Sequence, residues 1–380
     1  MHHFIIANRD SWISSGSNRL TGLTEQDQNF GADQILELKK VFYNSSFDYP
    51  TRIIVQFPLS DLSESLDNGD ITNPKYNLRL YEAEGTQELS TEYTLQSFPL
   101  SQSWDEGRGK YGDNPPVTDG VSWLNTFNKP NAPSATSWSI APSASAYYGE
   151  LWGGSYISSS WATQSFSYES PDINMKVDDI VTSWLDGTNT NYGFLLKFSG
   201  SKEHGPGHQL TFASSSETDD QTYGELKFFS SNTHTIYPPK LEVKWDSVSS
   251  CSDSNTGSMN EITSSGVSDH YIYPIGLKDS YNKNEKVKFR FGIRKRYIQK
   301  TFSTSVQTIT GSYIPDTSGS YSIVDLGTGE TIIPFDDSDE SYSKTGCDGT
   351  YNYFDQWLSG FEPNRYYKVM IRVKYNDGQS

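Results

Sequence analysis

Cysteine is nearly absent from this chain: Cys251 and Cys347 are the only two in 380 residues. Two such distant residues make neither a disulfide framework nor a metal knuckle. They read as two reduced thiols, with a single bridge inside a second domain as the alternative. Apolar residues are also scarce, at 34%. No run approaches the ~18 apolar residues of a membrane-spanning helix. Positive charge is short as well. Thirty Lys and Arg face 47 Asp and Glu, for a net charge of −17. That argues against general nucleic-acid or anionic-membrane binding, although a local basic patch remains compatible with it. The opening MHHFIIANRDSW lacks the basic and apolar regions of a secretory signal. Gly-x-Ser-x-Gly elbows, Walker loops and dinucleotide-binding glycine fingerprints are all missing.

What the chain does have is rings and punctuation. Aromatics reach 14%, with 25 Tyr, 19 Phe and 9 Trp. Large rings must therefore fill much of the core, and sheets favour them. The 30 Gly and 17 Pro are spread between short apolar runs rather than clustered. Together these features predict an all-β protein, and the length favours two domains.

One stretch, Met175 to Phe198, departs from this pattern. Val177, Ile180, Val181, Trp184 and Leu185 fall at the spacing of one helical face. Asp178 and Asp179 suit a first turn, and Gly187 suits a left-handed helix end. The spacing predicts one short amphipathic helix that closes one end of a β-sandwich and runs into a strand at Phe194–Phe198.

In chain order, residues 1–245 predict a sandwich domain carrying a long insert at 108–165. That insert is rich in Pro and Gly and holds Trp138, Tyr147, Tyr148, Trp152, Tyr156 and Trp161. It reads as long loops packed by their own side chains, with room for one hairpin. Residues 246–260 are a Ser/Asp/Asn/Gly stretch that reads as a linker. Residues 261–380 hold short strands with turn signals between them, a spacing that suits a smaller immunoglobulin-like or fibronectin-like sandwich.

Candidate chemistry is sparse. His204 and His208 are separated by Gly-Pro-Gly and read as turn histidines. Asp336-Asp337-Ser338-Asp339-Glu340 offers calcium-type oxygens without an EF-hand pattern, and reads as a solvated acidic loop. Trp104, Asp105 and Glu106 suggest a glycosidase acid, but no second carboxylate can be chosen. No catalytic residue, cofactor or metal ligand is assigned.

Three surfaces remain. The insert aromatics Trp138, Tyr147, Tyr148, Trp152, Tyr156 and Trp161 can form loop core, a subunit contact or a sugar-stacking platform. Lys286, Lys288, Arg290 and Arg294 lie on one face of a strand, opposite Val287, Phe289, Phe291 and Ile293. They form either a solvated face or a dock for an acidic neighbour, with nucleic acid a weaker choice. The strand from Tyr366 to Tyr375 has no return strand after Asn376-Asp377-Gly378, so either the sequence is cut there or the strand is an open edge for a partner.

Ordered short motifs carry a resemblance. They are Asp27-x-Asn29-Phe30-Gly31, Arg52-x-x-x-x-Phe57 with Leu59-Ser60, Leu78-x-Leu80-Tyr81 and Trp104-x-Glu106. The helix, Asn191-x-Gly193-Phe194 and Pro239-x-Leu241-x-Val243 complete the set. Over residues 4–245 the chain resembles the DNRLRE-type domain, a jelly-roll-like β-sandwich of surface, adhesive and phage virion proteins. The 108–165 insert departs from that compact pattern, and the resemblance brings no catalytic residues. Ile332-Ile333-Pro334-Phe335-Asp336, Asn352-Tyr353-Phe354 and Pro363-Asn364-Arg365-Tyr366-Tyr367 resemble the C-terminal part of structural proteins from contractile-tailed cyanophages. The resemblance implies a non-enzymatic virion protein of neck, tail or baseplate. It would be assembled in the host cytoplasm and docked among other virion proteins in a symmetric, multi-copy array. The rival expectation is an adhesive module that binds a cell-surface glycan, and a polysaccharide-degrading enzyme is weaker still.

Overall fold

The structure is a computed structural model. It describes residues 1–16, 25–43, 46–48, 51–85, 92–128, 135–138, 153–167, 170–198, 224–249, 251–252, 254–262, 270–297, 302–306, 308–316, 318–336 and 342–374. The chain starts with β1 (His2–Ile6), β2 (Arg9–Ser14), β3 (Ile35–Tyr43), β4 (Ser46–Asp48) and β5 (Thr51–Gln56). Helix α1 (Ser60–Asp67) precedes β6 (Lys75–Leu80), β7 (Glu82–Gly85), β8 (Glu92–Pro99), β9 (Asn125–Phe127) and β10 (Thr136–Ser137). Then come β11 (Ala162–Ser167), β12 (Ile173–Lys176), helix α2 (Asp178–Leu185), β13 (Phe194–Phe198), β14 (Gly224–Phe229) and β15 (Lys240–Lys244). The remainder holds β16 (Asn260–Glu261), β17 (His270–Ile275), β18 (Lys286–Lys295), β19 (Ser312–Tyr313) and β20 (Gly319–Asp325). It ends with β21 (Thr331–Ile333), β22 (Gly346–Cys347), β23 (Asn352–Trp357) and β24 (Tyr367–Val373). The fold is an all-β sandwich type with two short helices among the described residues.

Two compact units divide the chain. The first comprises residues 5–64 and 75–242; the second comprises 1–4, 65–74 and 243–380.

In the first unit an antiparallel sheet runs β11-β8-β13-β5-β2. Its central strands read as continuous apolar runs because both faces are covered. Ile54 pairs with Leu195 and Ile53 with Leu196 across β5 and β13, and all four are buried. A second sheet runs β4-β3-β14-β7, with Leu38 opposite Leu226 and Leu36 opposite Phe228 on its buried face. The Thr51 hydroxyl ties β5 to β3 by donating to Glu37 O and accepting from Lys39 N, each at 2.8 Å. On β6, Arg79 makes a buried 2.6 Å ion pair with Glu242.

Helix α2 forms as the apolar spacing predicts and ends at Gly187, whose φ is +76°. Trp184 is buried edge-on against Phe194, with ring centroids 4.6 Å apart. Asp178 Oδ1 accepts from Tyr76 N at 2.6 Å, which fixes the helix start to β6.

Asn29 is a buried polar hub. Its Nδ2 donates to Glu106 O and Val121 O, and its Oδ1 accepts from Gly31 N and Gly109 N. All four side-chain positions are satisfied. The Asn-Phe-Gly and Trp-x-Glu motifs thus meet in space, since Glu106 Oε1 also accepts from Asp10 N at 3.0 Å.

The second unit holds two sheets. One runs β16-β19-β18-β23-β22, with β17 on the other side of β18; the other runs β21-β20-β24. Phe291, Ile293, Ile314, Tyr321, Ile323, Ile333, Phe354 and Phe361 fill the space between them, joined by Phe4. Tyr321 stacks on Phe354 with centroids 4.1 Å apart. The segment 246–260, expected as a linker, is tied into this unit. Asn260 and Glu261 pair with Ser312 and Tyr313, and Cys251 is bonded to Cys347. The expectation of two reduced thiols is therefore corrected. The chain returns to place their Cα atoms 5.2 Å apart, inside the range that a disulfide requires.

Candidate functional site

The aromatic insert divides between core and surface. Trp138 is buried, and its Nε1 donates to Ser122 O at 2.9 Å. Trp123 and Trp138 cover Ile54 and Leu195 on the outer face of the five-stranded sheet. Tyr156 lies 4.5 Å from the Phe98 ring and packs on the same cluster. The Arg52 guanidinium sits 5.0 Å above the Trp123 ring and donates to Gly153 O. Gly153 has φ +85°, and a Cβ there would lie 2.6 Å from the Trp123 ring. Trp161, at 53% exposure, is the described candidate ring that faces solvent. Tyr147, Tyr148 and Trp152 lie outside the described residues. Two of the three described rings are thus loop core, as one of the sequence readings has it. The expected hairpin is β9 and β10.

The basic strand is β18, with Lys286, Lys288 and Arg290 exposed and Arg294 half-buried. Most of its charge is engaged locally. Arg290 pairs with Asp348 at 2.8 Å, Lys288 Nζ lies 3.9 Å over the Tyr353 ring, and Arg294 stacks over Tyr271 at 5.4 Å. Hydrogen bonds from Arg290 and from backbone amides hold the Asp348 carboxyl below its usual range against the opposing effect of burial. This is a face with partners of its own rather than a bare cationic stripe.

A cleft of about 650 Å³ opens at the free edge of the second sandwich. It exists because strand lengths do not match. β17 ends at Ile275, opposite Arg290, and Gly276 at φ +62° turns the chain away. Beyond that point Lys286–Phe289 pair with β23 on one side, and with no strand on the other among the described residues. Facing them is β24, which pairs with β20 alone among the described residues. The walls are inward-facing groups: Phe289 from β18, Ile323 from β20, Tyr367 and Val369 from β24, and Phe361. Tyr281 braces Phe289 edge-on at 5.5 Å, in a loop closed by the 2.9 Å Lys278–Glu285 pair. Phe361 packs edge-on against Tyr367 at 5.1 Å. Arg365 is fixed at the rim by two bonds to Asp325, whose carboxyl it holds below the usual range. Tyr366 stands at the mouth, 82% exposed. Tyr375 lies outside the described residues.

Large exposed apolar side chains concentrate in the same unit. Trp161 is the member of that set in the first unit; Tyr271, Ile272, Leu277, Tyr297, Phe302, Val306, Ile309, Leu326, Tyr366 and Val369 belong to the second.

Among the described residues, the carboxylates that burial shifts serve structural contacts. Asp10 is fully buried, and burial raises it to about 7 against the hydrogen bond from Ser231 N. Glu106 is raised by burial too, but it serves the Asp10 backbone. Asp336 Oδ2 accepts from Tyr342 N, so it caps its own loop; residues 337–341 lie outside the described set. His204 and His208 lie outside it as well. No cluster of three or more His, Cys, Asp or Glu that could hold a metal occurs among the described residues.

Sequence reasoning missed the cleft, although it placed Phe289 on the inner face and flagged the last strand as an edge. Tyr281, Phe361 and Val369 carry no local signal, because their meeting depends on where β17 stops.

No protein-family profile matches the chain. No curated protein matches it either. Among solved structures the chain is similar to a "putative beta-galactosidase from bacteroides fragilis", at 10% identity and a TM-score of 0.16. The match covers 99% of this chain and 36% of that protein's length. A superposition this poor carries no argument.

Proposed function

We propose that the chain is a non-enzymatic structural protein that works by protein–protein docking, and that its setting is the virion of a tailed phage, at neck, tail or baseplate. The observation that supports docking is the second unit's surface: it carries ten of the eleven large exposed apolar side chains among the described residues, three of which, Leu277, Tyr366 and Val369, line the cleft at the open sandwich edge. Singly exposed apolar groups are ordinary, but a concentration of them beside an unpaired edge marks an interaction surface. The virion setting comes from the sequence resemblance. A disulfide persists in oxidising surroundings, and the Cys251–Cys347 bond is compatible with a particle that leaves the reducing cytoplasm after assembly.

The test is mass spectrometry and labelled-antibody electron microscopy of particles from the source that encodes the chain. A fixed copy number at one virion location is expected. Absence from particles, or purification as a free monomer with measurable affinity on a glycan array, would overturn the proposal.

A further inference from the structure

We propose that the cleft beside β24 receives an extended segment of a partner protein, one whose residues alternate between apolar and acidic, which pairs with β24 as an added strand. This deepens the docking reading and rests on it.

Three observations fix the chemistry of the occupant. The first is the backbone. β24 offers a row of N–H and C=O groups with no strand on one side among the described residues. A strand is the element that satisfies such a row. The second is the inner face. Val369 points between the sheets yet is 42% exposed, next to buried Ile323 and half-buried Phe289. An added strand would place every second side chain in this gap, so those residues should be apolar. The third is charge. The alternate face of β24 carries exposed Lys368, then Met370 and a half-buried Arg372 that stacks 4.3 Å over the Phe335 ring, followed by exposed Lys374. Acidic residues on the outer face of the added strand would lie beside those cations, and opposite charges at neighbouring positions stabilise pairing.

The same charges disfavour a second copy of this chain as the occupant. Edge-to-edge pairing of two β24 strands would set two basic faces side by side, and like charges directly opposite are destabilising.

The probe is a capped peptide, Thr-Val-Glu-Val-Glu-Val-Thr, added to the full chain, with hydrogen–deuterium exchange as the readout. Its control carries Lys in place of Glu. Saturable slowing of exchange by at least tenfold within residues 367–373 is expected with the acidic peptide, and at least tenfold weaker binding with the control. Val369→Lys, at an already exposed position, should weaken acidic-peptide binding at least tenfold. Lys368→Glu should narrow the preference for the acidic peptide over the control at least tenfold. The proposal is overturned if millimolar acidic peptide leaves 367–373 unprotected, if both peptides bind equally, or if neither variant changes the preference. Protection that grows with protein concentration and without peptide would identify a second copy as the occupant, and would also overturn it. Failure here leaves the chain's presence in particles intact, whereas absence from particles leaves peptide protection intact, so the two readings fail separately.

Discussion

Ile323 and Val369 lie directly opposite each other on β20 and β24 and point the same way, yet Ile323 is 3% exposed and Val369 42%. One neighbour has a sheet above it and the other has the cleft. Truncation should report this difference. Ile323→Ala should cost about 2–5 kcal/mol as a buried aliphatic. Val369→Ala should cost less than about 1 kcal/mol, since much of its surface already meets water. Guanidinium denaturation of both variants checks the contrast, and equal losses would mean that the cleft is closed in solution.

The insert offers a similar contrast. Trp138→Ala should cost about 3–5 kcal/mol because the ring is part of the core. Trp161→Ala should stay within about 0.5 kcal/mol, as surface changes generally do. Thermal melts of the two variants decide whether the insert is core or platform.

Trp184→Ala tests the closure by α2. A loss of about 3–5 kcal/mol is expected. A loss under about 1 kcal/mol would show that the helix does not seal the first unit.

Asp10 sets a pH dependence. Its folded carboxyl is raised to about 7, far above its unfolded value. Between the ordinary carboxylate range and about 7 the folded state binds the extra proton, so stability falls as pH rises through that window. Glu37, also pushed up to about 7 by burial, acts with the same sign. Melting temperature should therefore be higher at pH 5 than at pH 8. Asp10→Asn should flatten the slope and raise the melting temperature at pH 8. A variant that keeps the wild-type slope would show that the carboxyl is already ionised in the fold.

Reducing the Cys251–Cys347 bond should destabilise the second unit by about 2–5 kcal/mol, because it frees a long loop in the unfolded chain. Amide exchange in β22 and β23 should quicken on adding dithiothreitol, while β5 and β13 remain protected. Unchanged exchange in β23 would argue against this role.

Local pattern carried much of this architecture. The spacing of Ile180, Val181 and Trp184 marks α2, and the apolar run Ile53-Ile54-Val55 marks a strand buried on both faces. The same pattern places Phe289, Phe291 and Ile293 on one face of β18. The rest depended on distant partners. Nothing near Asn29 reveals that its amide will meet Glu106 and Val121, and nothing near Cys251 reveals Cys347. Arg52 reads as an ordinary strand cation, yet it is buried beneath Trp123. The cleft is least legible of all, being a gap left by a strand that ends early.

Phe4 belongs to the core of the second unit, where its ring meets Phe361 edge-on at 6.1 Å. Phe4 thus waits for a partner made far later along the chain. At typical elongation rates that interval is roughly 20–70 s. The central residues of the first unit can collapse during synthesis, but the second unit must recruit a segment made long before its own strands. Its closure therefore cannot precede the synthesis of Phe361, and nascent chains stalled before Phe361 should hold Phe4 in a non-native environment.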